Sequence, residues 1–360
     1  MTISCNDENN AQQVQEDVFV QKEHFNMKRG VNICHWLSQS DDRGDIREKY
    51  FTEKDVALLA EKGFDHLRMP IDEEQIFDES GNLIPEAISL LHNSIEWCKS
   101  HNLSIIVDLH VIRSHHFNEG ERPLWNSIEA QNNLVKLWVT LSNELNKYDT
   151  QTVAYEILNE PVAPTDLQWN ALAARLIKTI RDLEPNRKIL VGSNRWQNIS
   201  TLKDLKLPRN DENLIISFHF YEPHLLTHYR AEWTDLKNLN VQLNYPGDII
   251  SDEEYSKLSE ADKLLVNPYR KEFNKDVFTQ IIDEAVEVAK EYGYQLHCGE
   301  FGCYNKTPYS IKIAWTKDIT DILVEKGIAY SYWGHKGGFG FINNNGQVSD
   351  VTLLNILTGN

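Results

Sequence analysis

Cysteine is scarce in this 360-residue chain, and its five copies, at positions 5, 34, 98, 298 and 303, follow neither a disulfide framework nor a zinc-knuckle spacing. Reduced or buried thiols are expected. No apolar run reaches the length of about 18 residues that a membrane-spanning helix needs. Positive charge is also short: 36 Lys and Arg against 54 Asp and Glu leave a formal charge of −18. That balance argues against nucleic acid or an anionic membrane surface as partner. A neutral or cationic ligand fits it, as does acidity that serves only solubility. No Pro-, Gly- or Ser-rich linker divides the chain, so one large domain is expected over 24–360 rather than two. At 41% apolar content it can bury roughly three quarters of its unfolded surface.

The first residues, "MTISCNDENNAQQ", allow two readings. A small-residue stretch ending in Cys5 and then turning polar is similar to the end of a bacterial lipoprotein signal, although its apolar region is missing. On that reading Cys5 bears a lipid and the protein is secreted, periplasmic or at the cell surface. On the other, residues 1–23 are an ordinary flexible tail, and a cytoplasmic location stays open.

What the chain does contain is a rhythm. Apolar, strand-like segments at 30–34, 64–70, 103–110, 152–161, 188–194, 213–223, 294–302 and 328–338 are each followed by a stretch with helical periodicity. The helix after the fifth is short, near 200–206. The strands are nearly continuous in apolar character, as when both faces are covered. Thr52 with Asp55 forms a capping-box-like start, and Gly63, Gly293 and Gly327 supply helix stops. Eight such units predict a (β/α)₈ barrel. A doubly wound open sheet is the alternative, but no glycine-rich phosphate loop follows the first strand. Residues 222–274 are too many for a simple βα loop and predict an inserted subdomain on the face that carries the strand ends.

In such a barrel the chemistry gathers where strands finish. The polar residues expected there are Arg68, His110, Asn159, Glu160, His219, Tyr221, Glu300 and Trp333. Glu160 and Glu300, on the fourth and seventh strands, would face each other across the mouth. A pair of carboxylates on one cleft suits cleavage of a glycosidic bond, one protonating the departing oxygen and the other attacking or stabilising the anomeric carbon. Arg68 would hold the nucleophilic carboxylate ionised, Tyr221 would donate to it, and Asn159 would bind a sugar 2-hydroxyl. Glu156, inside the same strand as Glu160, is expected in a buried polar network instead. His110, His115 and His116 also admit a metal-assisted hydrolase, but their spacing matches no HExxH-like signature. No metal and no cofactor are therefore expected, and His115 and His116 are taken as sugar contacts with Trp333, Trp36, Asn32, Trp196 and Lys336.

Arg68 in "HLRMP", His110 in "DLH", Asn159 and Glu160 in "LNEP", His219 and Tyr221 in "HFY", Glu300 in "GEFG" and Trp333 in "SYWGHKGG" together resemble glycoside hydrolase family 5 over about residues 24–357. The resemblance implies a metal-free retaining double displacement, with Glu160 as acid/base and Glu300 as nucleophile. It further implies a monomeric endo-acting enzyme on β-1,4-glucan. Mannanases, glucomannanases and xyloglucanases share the catalytic set, and loop shape and aromatics such as Trp36, Trp125, Trp196 and Trp233 would separate them. A non-catalytic carbohydrate-binding barrel is the rival from another class. Cys34 and His35 stand where such enzymes often carry small residues, so the resemblance does not assign the contacts at that edge of the cleft.

Overall fold

The computed structural model describes residues 24–360, so the expected tail over 1–23, Cys5 included, lies outside the described residues. Eight parallel strands close into a barrel: β1 (Arg29–Asn32), β2 (His66–Asp72), β3 (Ser104–Val111), β4 (Val153–Glu156), β5 (Lys188–Gly192), β6 (Leu214–Phe220), β9 (Gln295–Phe301) and β10 (Ala329–Tyr332). They run round the ring in the order β1-β10-β9-β6-β5-β4-β3-β2, and β7 (Gly247–Asp248) with β8 (Glu272–Phe273) forms a separate two-stranded ribbon.

Alternation along each strand sorts the side chains into two compartments. Leu67, Met69, Ile105, Val107, Leu109, Val153, Tyr155, Ile189 and Val191 belong to the large core shared with the surrounding helices. The inward positions are apolar only at the bottom, where Ile106, Ala154, Leu190, Ile215 and Ala329 are closed off by Phe25 and Met27. Other inward side chains are polar, from His66 and Arg68 of β2, the latter level with Ile106, to Asp108 and Glu156 above them.

The outer helices form for local reasons. Helix Lys275–Tyr292 starts where the Asn274 side chain accepts from the Val277 amide at 3.0 Å and stops at Gly293, which takes the left-handed conformation with φ 69°. Phe278, Ile282, Ala285 and Ala289 recur at helical spacing and are buried. The two larger of these each contribute about 1.5–3 kcal/mol through burial.

Three expectations change. After β5 there is no α-helix near 200–206 but a turn at Asn194–Gln197 and a 3₁₀ segment at Ile199–Asp204. Regular pairing in β4 stops at Glu156 and in β10 at Tyr332, so Asn159, Glu160 and Trp333 stand on bends beyond their strands. Arg68 lies inside β2 rather than at its end. Between β6 and helix Lys275–Tyr292 run short helices and the ribbon. Their residues His224, His228, Trp233, Asp235 and Tyr269 line the cleft above the barrel. Among the described residues no helix is long and apolar enough to cross a membrane.

Candidate active site

Glu160 is positioned by its backbone before its side chain is considered. The bend after β4 is tied to its neighbours by Asn159 N–H to Leu109 O at 3.0 Å and Ile157 N–H to Leu190 O at 3.3 Å. His115 Nε2 meets the Glu160 carbonyl at 3.1 Å. These contacts hold Glu160 at φ 41°, a left-handed conformation uncommon outside glycine and costing of order 1 kcal/mol or more. A straight strand would have passed Glu160 along the wall; the bend turns its carboxylate over the barrel axis.

Glu300 lies in β9, opposite His219 of β6, at a break in register between Phe218 and His219. Gly299 permits this approach, since a Cβ there would stand 3.1 Å from His219 Nε2. Arg68 NH1 donates to Glu300 Oε1 at 2.8 Å and Tyr221 OH to Glu300 Oε2 at 3.0 Å. The same guanidinium donates to both oxygens of Glu156 at 2.8 and 3.0 Å, to Asn32 Oδ1 at 2.9 Å and to Asn159 Oδ1 at 2.8 Å. It also pairs with Asp108 at 3.0 Å. One buried cation thus serves three carboxylates, and every edge of its fork is occupied. Glu156 is wholly buried and joins this network rather than the cleft.

His219 bridges the pair: its Nδ1 stands 2.9 Å from Glu160 Oε1 and 3.7 Å from Glu300 Oε2. One oxygen of each Glu and the histidine nitrogen lie within 4.8 Å of one another. Such a triad has the donor types of a cation site. Here, however, the Arg68 guanidinium supplies the positive charge at Glu300, and His219 Nδ1 is engaged by Glu160. Burial raises both glutamates, and the two differ in what opposes it. Glu160 is pushed well above the ordinary carboxylate range by burial and then by repulsion from Glu300. For Glu300 burial is countered by Arg68, His110 and the Tyr221 hydroxyl. Glu160 therefore keeps its proton to higher pH. Burial lowers His219 well below its usual value and His110 to about 4, so both rings are neutral at pH 7. His110 Nδ1 faces Asp108 at 2.6 Å and Nε2 faces the Gln39 side-chain nitrogen at 2.8 Å, an arrangement satisfied by the Nδ1–H tautomer.

Tyr221→Phe removes one of the groups that hold Glu300 ionised. The pKa of Glu300 then rises; with Glu300 acting as a carboxylate and Glu160 as an acid, the acidic limb of the pH profile of kcat/KM is expected to move to higher pH and the alkaline limb to move little. An acidic limb that stays in place would show that Tyr221 does not tune this carboxylate.

Trp333 stacks on His110, with ring centroids 5.5 Å apart and planes 9° from parallel. It walls the cleft with Tyr304 and Trp233 on the Glu300 side, and Phe117 and Trp196 stand on the Glu160 side. The whole cleft is open and encloses about 910 Å³. Cys34 packs behind Trp333 and Phe339, and His35 lines the cleft edge. Five expected sugar contacts are placed elsewhere. Trp36 is core, its indole N–H given to Arg47 O at 2.7 Å. Asn32 is fully buried and spends its amide on the Gly299 and Ser331 carbonyls. Lys336 is buried against Asp55 at 3.0 Å. His115 lies beneath the cleft, where it supports Glu160, and His116 stacks on Phe117 and caps the Asn118 amide. A backbone or charged partner takes the polar atoms of Trp36, Asn32 and Lys336, whereas His115 Nδ1 has no protein partner. Gln39, Tyr304 and Phe339 line the cleft without any sequence signal to mark them, because they come from loops with no fixed period.

A closed parallel barrel that sets two carboxylates close together on an open, aromatic-walled cleft defines a glycoside hydrolase. The chain belongs to the cellulase family, glycosyl hydrolase family 5, whose profile matches residues 21–337. Endoglucanase C of Acetivibrio thermocellus is 29% identical, the match covering 92% of this chain and 97% of that one. Cellodextrinase A of Ruminococcus flavefaciens is 28% identical over 84% of this chain and 83% of its own. Among solved structures, a hyperthermophilic endo-β-1,4-glucanase in complex with substrate superposes with a TM-score of 0.74 at 24% identity, covering 93% of this chain and 97% of that one. The endoglucanase Cel5A of Thermotoga maritima gives 0.74 at 22%, covering 92% and 96%.

Proposed function

We propose that this enzyme cleaves β-1,4-linked glucan within the chain, with net retention of configuration, through a covalent glycosyl-enzyme. The separation of the carboxylates carries this reading: oxygens within 4.8 Å suit direct attack, whereas inversion needs roughly 6.5–9.5 Å to admit a water between them. In the first step a Glu300 oxygen bonds to the anomeric carbon as the glycosidic C–O bond breaks, and the Glu160 proton passes to the departing oxygen. In the second, Glu160 takes a proton from water, the water oxygen bonds to the anomeric carbon, and the Glu300 ester is released. Asn159 Nδ2 is buried and has no protein partner, which leaves it free for the sugar 2-hydroxyl. The volume of the cleft, about 910 Å³, and its aromatic walls suit a chain of several sugar units.

Hydrolysis of carboxymethylcellulose, barley β-glucan, glucomannan and mannan tests the substrate. New reducing ends are expected first from the two glucans, with a rapid fall in viscosity. Faster cleavage of mannan would move the assignment to a mannanase, and binding without cleavage of any of the four would make this a carbohydrate-binding barrel. In proton NMR the newly formed end should appear first as the β-anomer; an initial α-anomer would mean inversion.

A further inference from the structure

Beside the cleft, on the Glu160 side, a second pocket of about 280 Å³ opens among Arg122, Trp125, Asn126, Ala163, Pro164 and Arg195. Arg122 and Arg195 border the cleft as well, so the two spaces adjoin. No carboxylate lines the pocket, in a chain whose formal charge is −18. The Arg122 guanidinium donates only to neutral carbonyls, His116 O at 3.2 Å and Phe117 O at 2.9 Å. Arg195 heads three consecutive left-handed residues, Arg195, Trp196 and Gln197, at φ 58°, 62° and 53°. Such a turn is costly at each position. It is held by Gln197 Nε2 to Glu156 at 2.7 Å and Trp196 Nε1 to Phe117 O at 3.1 Å. Trp125 is only 6% exposed, and its indole N–H is buried without a partner.

Two guanidiniums offer donors and no acceptor. They suit a carboxylate, and Trp125 supplies an aromatic wall for the ring that bears it. We infer that this pocket takes the carboxylate of a uronate sugar carried by the part of the glucan that leaves, so that acidic glucans are preferred substrates. The side follows from the loop that carries Glu160, whose next residues Val162, Ala163 and Pro164 line the pocket. It rests on the reading of Glu160 as the acid that protonates the leaving group.

The test compares three probes: a neutral cello-oligosaccharide, the same chain oxidised at C6 to glucuronate units, and one carrying glucuronate as a branch. At low salt kcat/KM should be roughly tenfold higher on one of the acidic probes, as expected for a charge-assisted hydrogen bond. The preferred probe identifies the uronate as a backbone unit or a branch. Arg195→Ala should bring the ratio towards one, as should about 1 M salt. A wild-type ratio of one or less for both acidic probes, or a preference that persists in Arg195→Ala, would overturn the inference. If no cello-oligosaccharide is hydrolysed, the β-1,4-glucan reading fails by itself. Calorimetric titration of the glucuronate-bearing probes then decides the pocket: binding lost in Arg195→Ala supports it, and no binding or equal binding rejects it.

Discussion

Glu300→Ala lowers turnover by at least about 10⁴-fold, and Glu160→Ala lowers it to a similar extent on glucans, because each removes a group that acts on the reacting bond. The two losses differ in kind. An aryl cellobioside with a very acidic phenol as leaving group needs no protonation, so Glu160→Ala should still form the glycosyl-enzyme rapidly on that substrate and then stall. Glu300→Ala should be slow on both. Added azide should enter from opposite faces, giving the α-glycosyl azide with Glu300→Ala and the β-glycosyl azide with Glu160→Ala. Product analysis by NMR reads the outcome. Near-normal turnover by either variant on glucan, or the same azide anomer from both, would reject the assigned roles.

Arg68→Ala should cost about 3–5 kcal/mol of stability, the range expected when one partner of a buried ion pair is removed. The side chain is fully buried, and its loss leaves Glu156, Asp108 and Glu300 without their shared counter-charge. Arg68→Lys should recover little, because an ammonium cannot reproduce the two parallel bonds to Glu156. Adding Glu156→Gln to Arg68→Ala should restore part of the loss, since a neutral amide no longer demands a cation. Denaturant midpoints at constant slope measure all three. Activity should fall with stability, because Glu300 without Arg68 stays protonated to higher pH. An Arg68→Ala variant within about 1 kcal/mol of wild type would mean that the carboxylates do not depend on it.

Much of the site is legible in the residues themselves. Arg68, His110, His219, Tyr221, Glu300 and Trp333 fall on or next to strands whose periodicity announces them, and a parallel strand fixes which inward positions rise towards the mouth. Asn159 and Glu160 were placed on the right segment but inside a strand that ends at Glu156. The left-handed backbone that turns Glu160 inward has no glycine to signal it. Trp36, Asn32 and Lys336 look like sugar contacts by position along the chain. Whether such a residue meets solvent depends on partners from other elements, here Arg47, Gly299 and Asp55.

The amino-acid sequence alone determined the eightfold alternation, the barrel and the identity of the two carboxylates, because hydrophobic period and strand-end chemistry are local properties. Tertiary structure decided that one buried guanidinium serves three acids, that a neutral histidine contacts Glu160 beside Glu300, and that two arginines line a pocket beside Glu160. Each of these depends on ring closure, which brings side chains from distant strands within hydrogen-bond reach and removes the water that would otherwise screen them.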